Sequence, residues 1–317
     1  MAQEPLLTTV HTATLQGDAD TAFRWLSDVS RWPNLFGPTI HAARTAGSDK
    51  SETIRLWALA NGEVRSWESR RDFDPSRRQI RFDQVSPQDP LRSMGGSWTV
   101  NDSVAGGCAV VLIHEYSLLE DRSSFADFVH KAVKSNSVAE LTALAYMVEH
   151  EHDGTSSTGV SFSDTVELDV PAEVVYEFID RADLWSERLD HVAEVTLEVT
   201  KDIQKLAMVT VSPDGDSHPT SSIRVSFPEE LRMTYKQTAF PPAFRSHTGS
   251  WQITALDDKR CEAVATHTVY LDLPQAHIDF PGHSLAELKA LVRRSLGTNS
   301  RRTLASASEH YRAGSIV

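Results

Sequence analysis

The segment RSMGGSW at residues 92–98 recurs as RSHTGSW at residues 245–251, a displacement of 153 positions (245 − 92). The same displacement superimposes identical residues along much of the chain, among them Trp32 and Trp185, Ser69 and Ser222, Arg71 and Arg224, Cys108 and Cys261, and His114 and His267. The alignment needs no gap from about residue 11 to about residue 118. Matches on such uncommon residue types indicate a tandem duplication. Further on, the second copy carries about ten extra residues, and with these inserted the pair Asn136 and Ser137 meets Asn299 and Ser300.

The duplication predicts two domains, residues 1–150 and residues 160–317, because each half has the length of an ordinary domain. The stretch between them, residues 150–159, is polar and rich in Gly and Ser, which is typical of a flexible connection. The acidic run EHEHD at residues 149–153 is interpreted as solvated rather than as a metal cluster.

Composition excludes several classes of protein. A net charge of −13 argues against a nucleic-acid binder, and two cysteines do not make a disulfide framework or a zinc site. The first ten residues lack the pattern of a signal peptide, and no apolar run approaches a membrane span, so we expect a cytoplasmic protein without a membrane partner. Phosphate-binding glycine loops and nucleophile elbows are missing from the sequence, so we expect no nucleotide, flavin or metal cofactor.

Both copies predict the same α+β unit. A first strand precedes an amphipathic helix, for which Asp18 is the expected N-cap in copy one and Pro171 the expected first helical residue in copy two. Five or six antiparallel strands follow, with hairpin turns at residues 61–63 and 213–216. A long amphipathic helix closes each unit and is expected to cover the concave face of a curved sheet, which leaves room for a ligand between them.

The strand at residues 64–74, VRSWESRRDFD, has an arginine on its apolar face. Side chains alternate along a strand, so Trp67, Ser69 and Arg71 share a face, and we expect that face to point inward. A buried guanidinium requires either a wet cavity or a partner. Two interpretations follow: Arg71 contacts a ligand, or it reaches a carboxylate at a domain interface. The presence of Arg224 at the matching position favours the first.

These features together resemble the polyketide aromatase/cyclases of bacterial type II polyketide synthases, and two copies resemble their di-domain subclass. The resemblance implies two tandem helix-grip domains of the START/Bet v1-like superfamily. It implies that the arginine of the W-x-S-x-R pattern is the key pocket residue. The residues that carry this over are, in copy one, Arg71 with Trp67, Ser69, Trp98 and Asn136, and in copy two Arg224 with Ser222, Trp251 and Asn299. Copy two departs from the pattern at Thr220, where the tryptophan would stand.

Histidines supply the candidate acid–base groups. His114 and His267 occupy matching positions, and a histidine titrates near neutrality, although a core histidine is the alternative for each. His247, at the position of Met94, is a further candidate. Trp57 and Tyr235 are candidate substrate contacts, and tryptophans of this kind are also ordinary core residues.

The resemblance implies a regiospecific aldol closure of the first ring, C7–C12, dehydrative aromatisation, or both. The substrate is then a poly-β-ketone on an acyl carrier protein. Carrier proteins are acidic, so we expect a local basic rim, with Arg65, Arg70, Arg77, Arg78 and Arg92 as its members. The arginine would stabilise an oxyanion, and a histidine, or a water held by Ser69 or Asn136, would remove a methylene proton. A non-catalytic carrier of a lipid or an aromatic product is the alternative, because the fold would be the same. In a mixed case one copy is catalytic and the other structural.

Overall fold

The computed structural model describes residues 6–60, 62–103, 106–152, 155–156, 158–211, 215 and 217–314. The chain divides into two compact units, Met1–Ser157 and Thr158–Val317. The division falls inside the polar stretch at residues 150–159. No helix in the described ranges combines the length and the apolar character needed to cross a bilayer.

The first domain is one seven-stranded antiparallel sheet with helices on one side. Its elements are β1 (Leu7–Leu15), α1 (Ala19–Ser27), α2 (Trp32–Leu35), β2 (Thr39–Gly47), β3 (Ser51–Ala60), β4 (Glu63–Asp74), β5 (Gln79–Gln84), β6 (Leu91–Asp102), β7 (Cys108–Leu118), α3 (Ala126–Glu149), β8 (Glu151–His152) and β9 (Thr155–Ser156). The sheet has the order β1-β7-β6-β5-β4-β3-β2, and β8 pairs with β9 in a separate hairpin.

The second domain repeats this arrangement. Its elements are β10 (Gly159–Leu168), α4 (Ala172–Asp180), α5 (Trp185–Arg188), β11 (Val192–Thr200), β12 (Ile203–Val211), β13 (Ser217–Phe227), β14 (Arg232–Ala239), β15 (Phe244–Asp257), β16 (Arg260–Leu271), α6 (Leu273–Asp279) and α7 (Leu285–Arg312). The order β10-β16-β15-β14-β13-β12-β11 matches that of the first sheet. Helix α6 lies in the part of the chain where copy two is longer.

Local signals fix the helix starts. Asp18 caps α1, and its carboxylate accepts hydrogen bonds from the Thr21 amide and hydroxyl, both at 2.7 Å, as predicted. Pro171 is the N-cap of α4 rather than its first helical residue, one position from the prediction. Helix α7 begins with a capping box between Ser284 and Glu287.

The long helices pack one face against the sheets. In α3 the buried residues Val133, Ser137, Leu141 and Leu144 recur every three or four positions, so they form one stripe. Helix α3 contacts β1 and β7, and α7 contacts β10 and β16 in the same way. The interior of each domain therefore lies between one sheet and one long helix.

The gapless alignment of the two copies is wrong in one strand. Asp72 pairs with Ser51 across β3 and β4, whereas its equivalent Val225 pairs with Ile203 across β12 and β13. The displacement in this strand is therefore 152 (203 − 51) rather than 153. Copy two has one residue fewer than copy one before β12, and one residue more between β12 and β13. The inward position of Glu52 is consequently taken by Gln204.

The prediction that the acidic run near the domain boundary is solvated is wrong for Glu151. This side chain is buried and pairs with Arg24 at 3.4 Å and with Arg31 at 3.2 Å. The start of the boundary segment is thereby fixed to α1 and to the turn that follows it. The rest of the predicted linker lies partly outside the described residues.

Candidate functional site

Arg71 is buried, with 1% of its surface exposed, and its guanidinium donates four hydrogen bonds. It donates to Glu52 Oε1 from Nη2 at 2.6 Å and from Nε at 2.9 Å. Nη1 donates to the carbonyl of Leu26 at 2.8 Å, and Nη2 also donates to the carbonyl of Ser27. These carbonyls end α1, where the helix dipole favours a cation. Burial lowers the pKa of Arg71 and Glu52 raises it.

Of the two interpretations of Arg71, the ion pair is the one observed. Its carboxylate partner belongs to the same domain, not to a domain interface as the second interpretation had it. Arg71 joins β4 to β3 and to the end of α1. Each of the three guanidinium nitrogens of Arg71 already donates to a protein oxygen. Nε and Nη2 donate to the Glu52 carboxylate, and Nη1 donates to a main-chain carbonyl.

Arg224 has the same location but different partners. It is buried, and Nη2 donates to the carbonyl of Ile179 at the end of α4. Within the described ranges no carboxylate forms an ion pair with it, and its Nη1 atom has no hydrogen-bond partner. Gln204, which replaces Glu52, donates instead to Asp180 Oδ1 at 2.9 Å. Burial lowers the pKa of Arg224 to about 10, so the guanidinium remains charged with one free donor.

A histidine faces a helix serine in the interior of each domain. In the first domain His114 Nδ1 lies 3.2 Å from Ser137 Oγ of α3. The ring of Phe82 meets His114 edge to face at 5.5 Å. Burial, with a smaller contribution from His11, lowers the pKa of His114 to about 4, so this imidazole is neutral at pH 7.

The second domain elaborates this pair into a network. His267 Nε2 lies 2.7 Å from Ser300 Oγ of α7. On its other side, His267 Nδ1 lies 2.9 Å from the Tyr235 hydroxyl and 3.1 Å from His247 Nε2. Burial lowers the pKa of His267 to about 4 and that of His247 to about 3, and burial raises the pKa of Tyr235. All three groups are therefore neutral at pH 7.

The glycine of each GSW motif makes room for the aromatic ring beside the histidine. A Cβ atom on Gly249 would lie 2.4 Å from the Tyr235 hydroxyl oxygen and 2.3 Å from the Thr266 carbonyl oxygen. A Cβ atom on Gly96 would lie 1.9 Å from the Ile113 carbonyl oxygen and 2.9 Å from the Phe82 ring. The motif that reveals the duplication thus shapes the site.

An ion cluster between β10 and α7 lies next to the same network. Asp164 accepts two hydrogen bonds from Arg293, each at 2.9 Å, and one from Arg301 at 2.6 Å. Arg293 lies 4.3 Å above the Phe162 ring, and Phe162 lies 5.1 Å from His267. In the first domain His11 holds the place of Asp164, so this cluster is particular to copy two.

The predicted tryptophans occupy different environments. Trp67 packs on the inward cluster of β3 and β4, Trp98 is buried and stacks on Phe36 at 6.3 Å, and Trp251 belongs to the main core of the second domain. Trp57 is buried, and its contact with substrate stays a prediction. Leu56 is the residue paired with Trp67, so Trp57 points to the opposite face of the sheet.

The predicted asparagines are not the inward residues of their helices. Asn136 is exposed, so its predicted inward orientation is wrong, and Asn299 is only partly buried. The neighbouring serines, Ser137 and Ser300, are buried and contact the histidines. Ser137 lies four residues after Val133, and Ser300 lies four residues before Leu304, so both serines belong to the buried stripe of their helix. This spacing was the signal in the sequence that the prediction missed. Ser69 is buried and Ser222 partly buried, and their contacts with substrate stay a prediction.

The surroundings of the site are less basic than predicted. Arg70 pairs with Asp72, Arg77 with Asp74, and Arg78 with both Asp20 and Asp102, so these members of the predicted rim are neutralised locally. Surface hollows of about 570 and about 300 Å³ occur in the described chain, and the lining of neither includes an interior histidine. Between sheet and helix, the polar side chains contact one another.

Comparisons with known proteins agree with this architecture. Two models of the family described as polyketide cyclase/dehydrase and lipid transport match residues 7–149 and residues 168–281. The granaticin polyketide synthase bifunctional cyclase/dehydratase of Streptomyces virginiae is 36% identical over 93% of this chain and 97% of its own. The actinorhodin polyketide synthase bifunctional cyclase/dehydratase of Streptomyces coelicolor is 34% identical over 94% of this chain and 95% of its own.

Solved structures contain the same two tandem domains. The di-domain ARO/CYC BexL from the BE-7585A biosynthetic pathway superimposes with a TM-score of 0.87 at 38% identity, covering 96% of this chain and 98% of its own. The di-domain ARO/CYC StfQ from the steffimycin pathway has a TM-score of 0.80 at 28% identity, covering 96% and 99%. These matches confirm the prediction of tandem helix-grip domains. The chain belongs to the bifunctional cyclase/dehydratases of polyketide synthases, in their di-domain aromatase/cyclase form.

Proposed function

We propose that the chain closes and dehydrates the first ring of a poly-β-ketone, with the buried histidine–serine pair of each domain as its acid–base group. The observation that carries this proposal is the repetition of the pair, His114 with Ser137 and His267 with Ser300, in the interior of both domains. Both imidazoles are neutral at pH 7 because burial lowers their pKa. A neutral imidazole has a lone pair available to remove a proton.

Ring closure needs that lone pair. A methylene group between two ketones is acidic, so a positioned base converts it to an enolate. The enolate carbon attacks a second ketone of the same chain, a carbon–carbon bond forms, and the attacked oxygen becomes an alkoxide that takes up a proton. Holding two distant carbons of one flexible chain in contact selects the ring and removes several kcal/mol of entropic barrier.

Arg224 is the arginine suited to the developing alkoxide. Its Nη1 group is buried, charged and without a partner among the described residues, so a substrate oxygen completes its hydrogen bonding. Arg71 instead supports the first domain as a positioning residue, because Glu52 and two helix carbonyls already bind it. The two arginines of the repeated motif thus have separate roles in this proposal.

The ring formed is C7–C12, as the family resemblance implies, and the substrate arrives in the cytoplasm on an acyl carrier protein. Helix α7 is suited to an acidic carrier, because Arg294 and Arg302 are exposed along it. Charge of one sign at the approach to a site speeds association with a partner of the other sign.

Reconstitution with a minimal polyketide synthase tests this function. The wild-type chain is expected to redirect the products to one first-ring aromatic compound, identified by mass and NMR. His114→Gln and His267→Gln are expected to restore shunt products in part, and the double variant to restore them fully. A wild-type chain that binds an aromatic product but leaves the product pattern unchanged would instead establish a non-catalytic carrier.

A further inference from the structure

The two domains differ most at two positions beside the common histidine. Phe82 of the first domain is replaced by Tyr235, and Met94 is replaced by His247. Both replacements exchange an apolar side chain for one that bears a proton. In the second domain the two new groups bond to the same atom, Nδ1 of His267, at 2.9 Å from the Tyr235 hydroxyl and 3.1 Å from His247 Nε2.

The hydrogen bonds form a continuous chain from the helix to His247. His267 Nε2 and Ser300 Oγ are 2.7 Å apart, and His267 Nδ1 and His247 Nε2 are 3.1 Å apart. Two sets of neutral tautomers fit these distances, and the relay corresponds to the one in which His247 donates from Nε2 to His267 Nδ1 and His267 donates from Nε2 to Ser300. This assignment leaves a lone pair on His247 Nδ1.

That lone pair has no partner in the described part of the chain, although it is buried. His247 is 2% exposed, and its Nδ1 atom makes no hydrogen bond. The rings of Tyr235 and Phe244 stand edge to face against it, at 5.7 and 6.1 Å between centroids. A buried acceptor without a donor is costly, so its retention beside aromatic surfaces points to a ligand that supplies a proton.

We propose that His247, His267 and Ser300 form a proton relay, that His247 Nδ1 is the end that meets the substrate, and that the second domain thereby carries out the dehydration. This inference rests on the function proposed above and assigns its dehydration step to the second domain. In that domain it gives the proton-accepting lone pair to His247, with His267 as the next member of the relay. The first domain lacks the relay, because Met94 cannot accept or transfer a proton.

The step balances without a redox partner. His247 Nδ1 takes the proton from the carbon between the ketone and the new carbinol, and its Nε2 proton passes to His267 Nδ1. The resulting enolate expels the hydroxyl group, a carbon–carbon double bond forms, and the carbon–oxygen bond breaks. The proton returns through His247 to the leaving hydroxide, so water is released and the relay is restored. Burial lowers the pKa of His267 most, and Arg293 also lowers it, whereas Asp164 raises it and so favours a transient positive charge on that imidazole.

The test replaces His247 by the residue of the other domain. His247→Met in the full-length chain, reconstituted with a minimal polyketide synthase, is expected to accumulate a ring-closed product one water heavier than the aromatic compound. The rate of dehydration is expected to fall about 100-fold, as for loss of a general base. Ser300→Ala is expected to have a smaller effect that adds little in the double variant, because the three residues act as a unit.

Controls separate this inference from a folding defect and from the proposed function. Met94→Leu changes the equivalent position of the first domain and is expected to leave dehydration unchanged. Added imidazole is expected to restore dehydration to His247→Ala, which a purely structural role would not allow. An aromatic product formed by His247→Met within threefold of the wild-type rate overturns the relay. Failure of the wild-type chain itself to direct the products overturns the proposed function instead.

Discussion

Arg71 donates two hydrogen bonds to Glu52, at 2.6 and 2.9 Å, and the pair lies almost wholly out of solvent. Glu52→Gln removes the charge and leaves a buried guanidinium against a neutral amide. We expect the free energy of unfolding to fall by about 3 kcal/mol, the cost of breaking a buried ion pair. Urea unfolding of the full-length chain measures it, and Glu68→Gln, an exposed carboxylate of the same sheet, is the control. Equal stability of both variants would contradict a framework role for Arg71.

The opposite substitution, Gln204→Glu in the second domain, tests whether the Nη1 group of Arg224 is a free hydrogen-bond donor. Gln204→Glu places a carboxylate where the first domain has Glu52, at the strand position that pairs with Arg224, whose Nη1 group has no partner among the described residues. We expect cyclase activity to fall by about tenfold or more, because the donor is then occupied before substrate binds. The product yield per carrier-bound chain is the measurement. Undiminished activity, with the ion pair visible in a crystal structure of the variant, would show that Arg224 is not a substrate contact.

Gly249 sits against the hydroxyl of Tyr235, and an added methyl group would overlap it. Gly249→Ala is expected to destabilise the chain by about 1–3 kcal/mol, as overpacking does, and to break the bond between Tyr235 and His267. The tyrosine hydroxyl and imidazole signals in NMR spectra report that bond directly. Gly37→Ala is the matched control, because no atom lies within 4 Å of its added Cβ. A chain that tolerates alanine at both positions would remove the packing argument for the GSW motif.

The buried histidines predict a loss of stability in acid. Burial lowers the pKa of His267 from 6.5 to about 4, so between these values the unfolded chain binds more protons than the folded one. The free energy of unfolding is therefore expected to fall as the pH drops from about 6.5 towards about 4. His267→Gln should flatten this dependence, although it lowers stability at pH 7 by removing the bond to Ser300. A variant with the same slope as the wild type would show that His267 does not stay neutral in the fold.

The exposed arginines of α7 predict a dependence on the carrier protein. The double charge reversal Arg294→Glu with Arg302→Glu is expected to raise KM for a carrier-bound substrate about tenfold, and to leave kcat nearly unchanged. A small thioester mimic of the substrate, which needs no carrier, should show no such change. Arg77→Glu in the first domain is the comparison, since it tests the rim expected from sequence. A larger effect of Arg77→Glu would move the carrier site to the first domain.

Periodicity and repetition predicted the two sheets, the capped helices and the long closing helix, because those depend on local patterns. The partners of the buried groups were not predictable in the same way. Glu52 is 19 positions from Arg71, and Ser300 is 33 positions from His267, so their contacts depend on register and on how the helix crosses the sheet. Asn136 entered the prediction through the family resemblance, yet the stripe of buried residues runs through Ser137.

The single-residue offset between β3 and β12 bears on any attempt to build hybrids of the two halves. A graft designed with one constant displacement would turn the transplanted strand over, so that Lys205 rather than Gln204 faced the interior. In the first domain, a lysine there would oppose the guanidinium of Arg71. Segments of the two copies can therefore be exchanged only where their hairpins have the same length. Here the difference in hairpin length, and not the strand itself, changes which residue faces the interior.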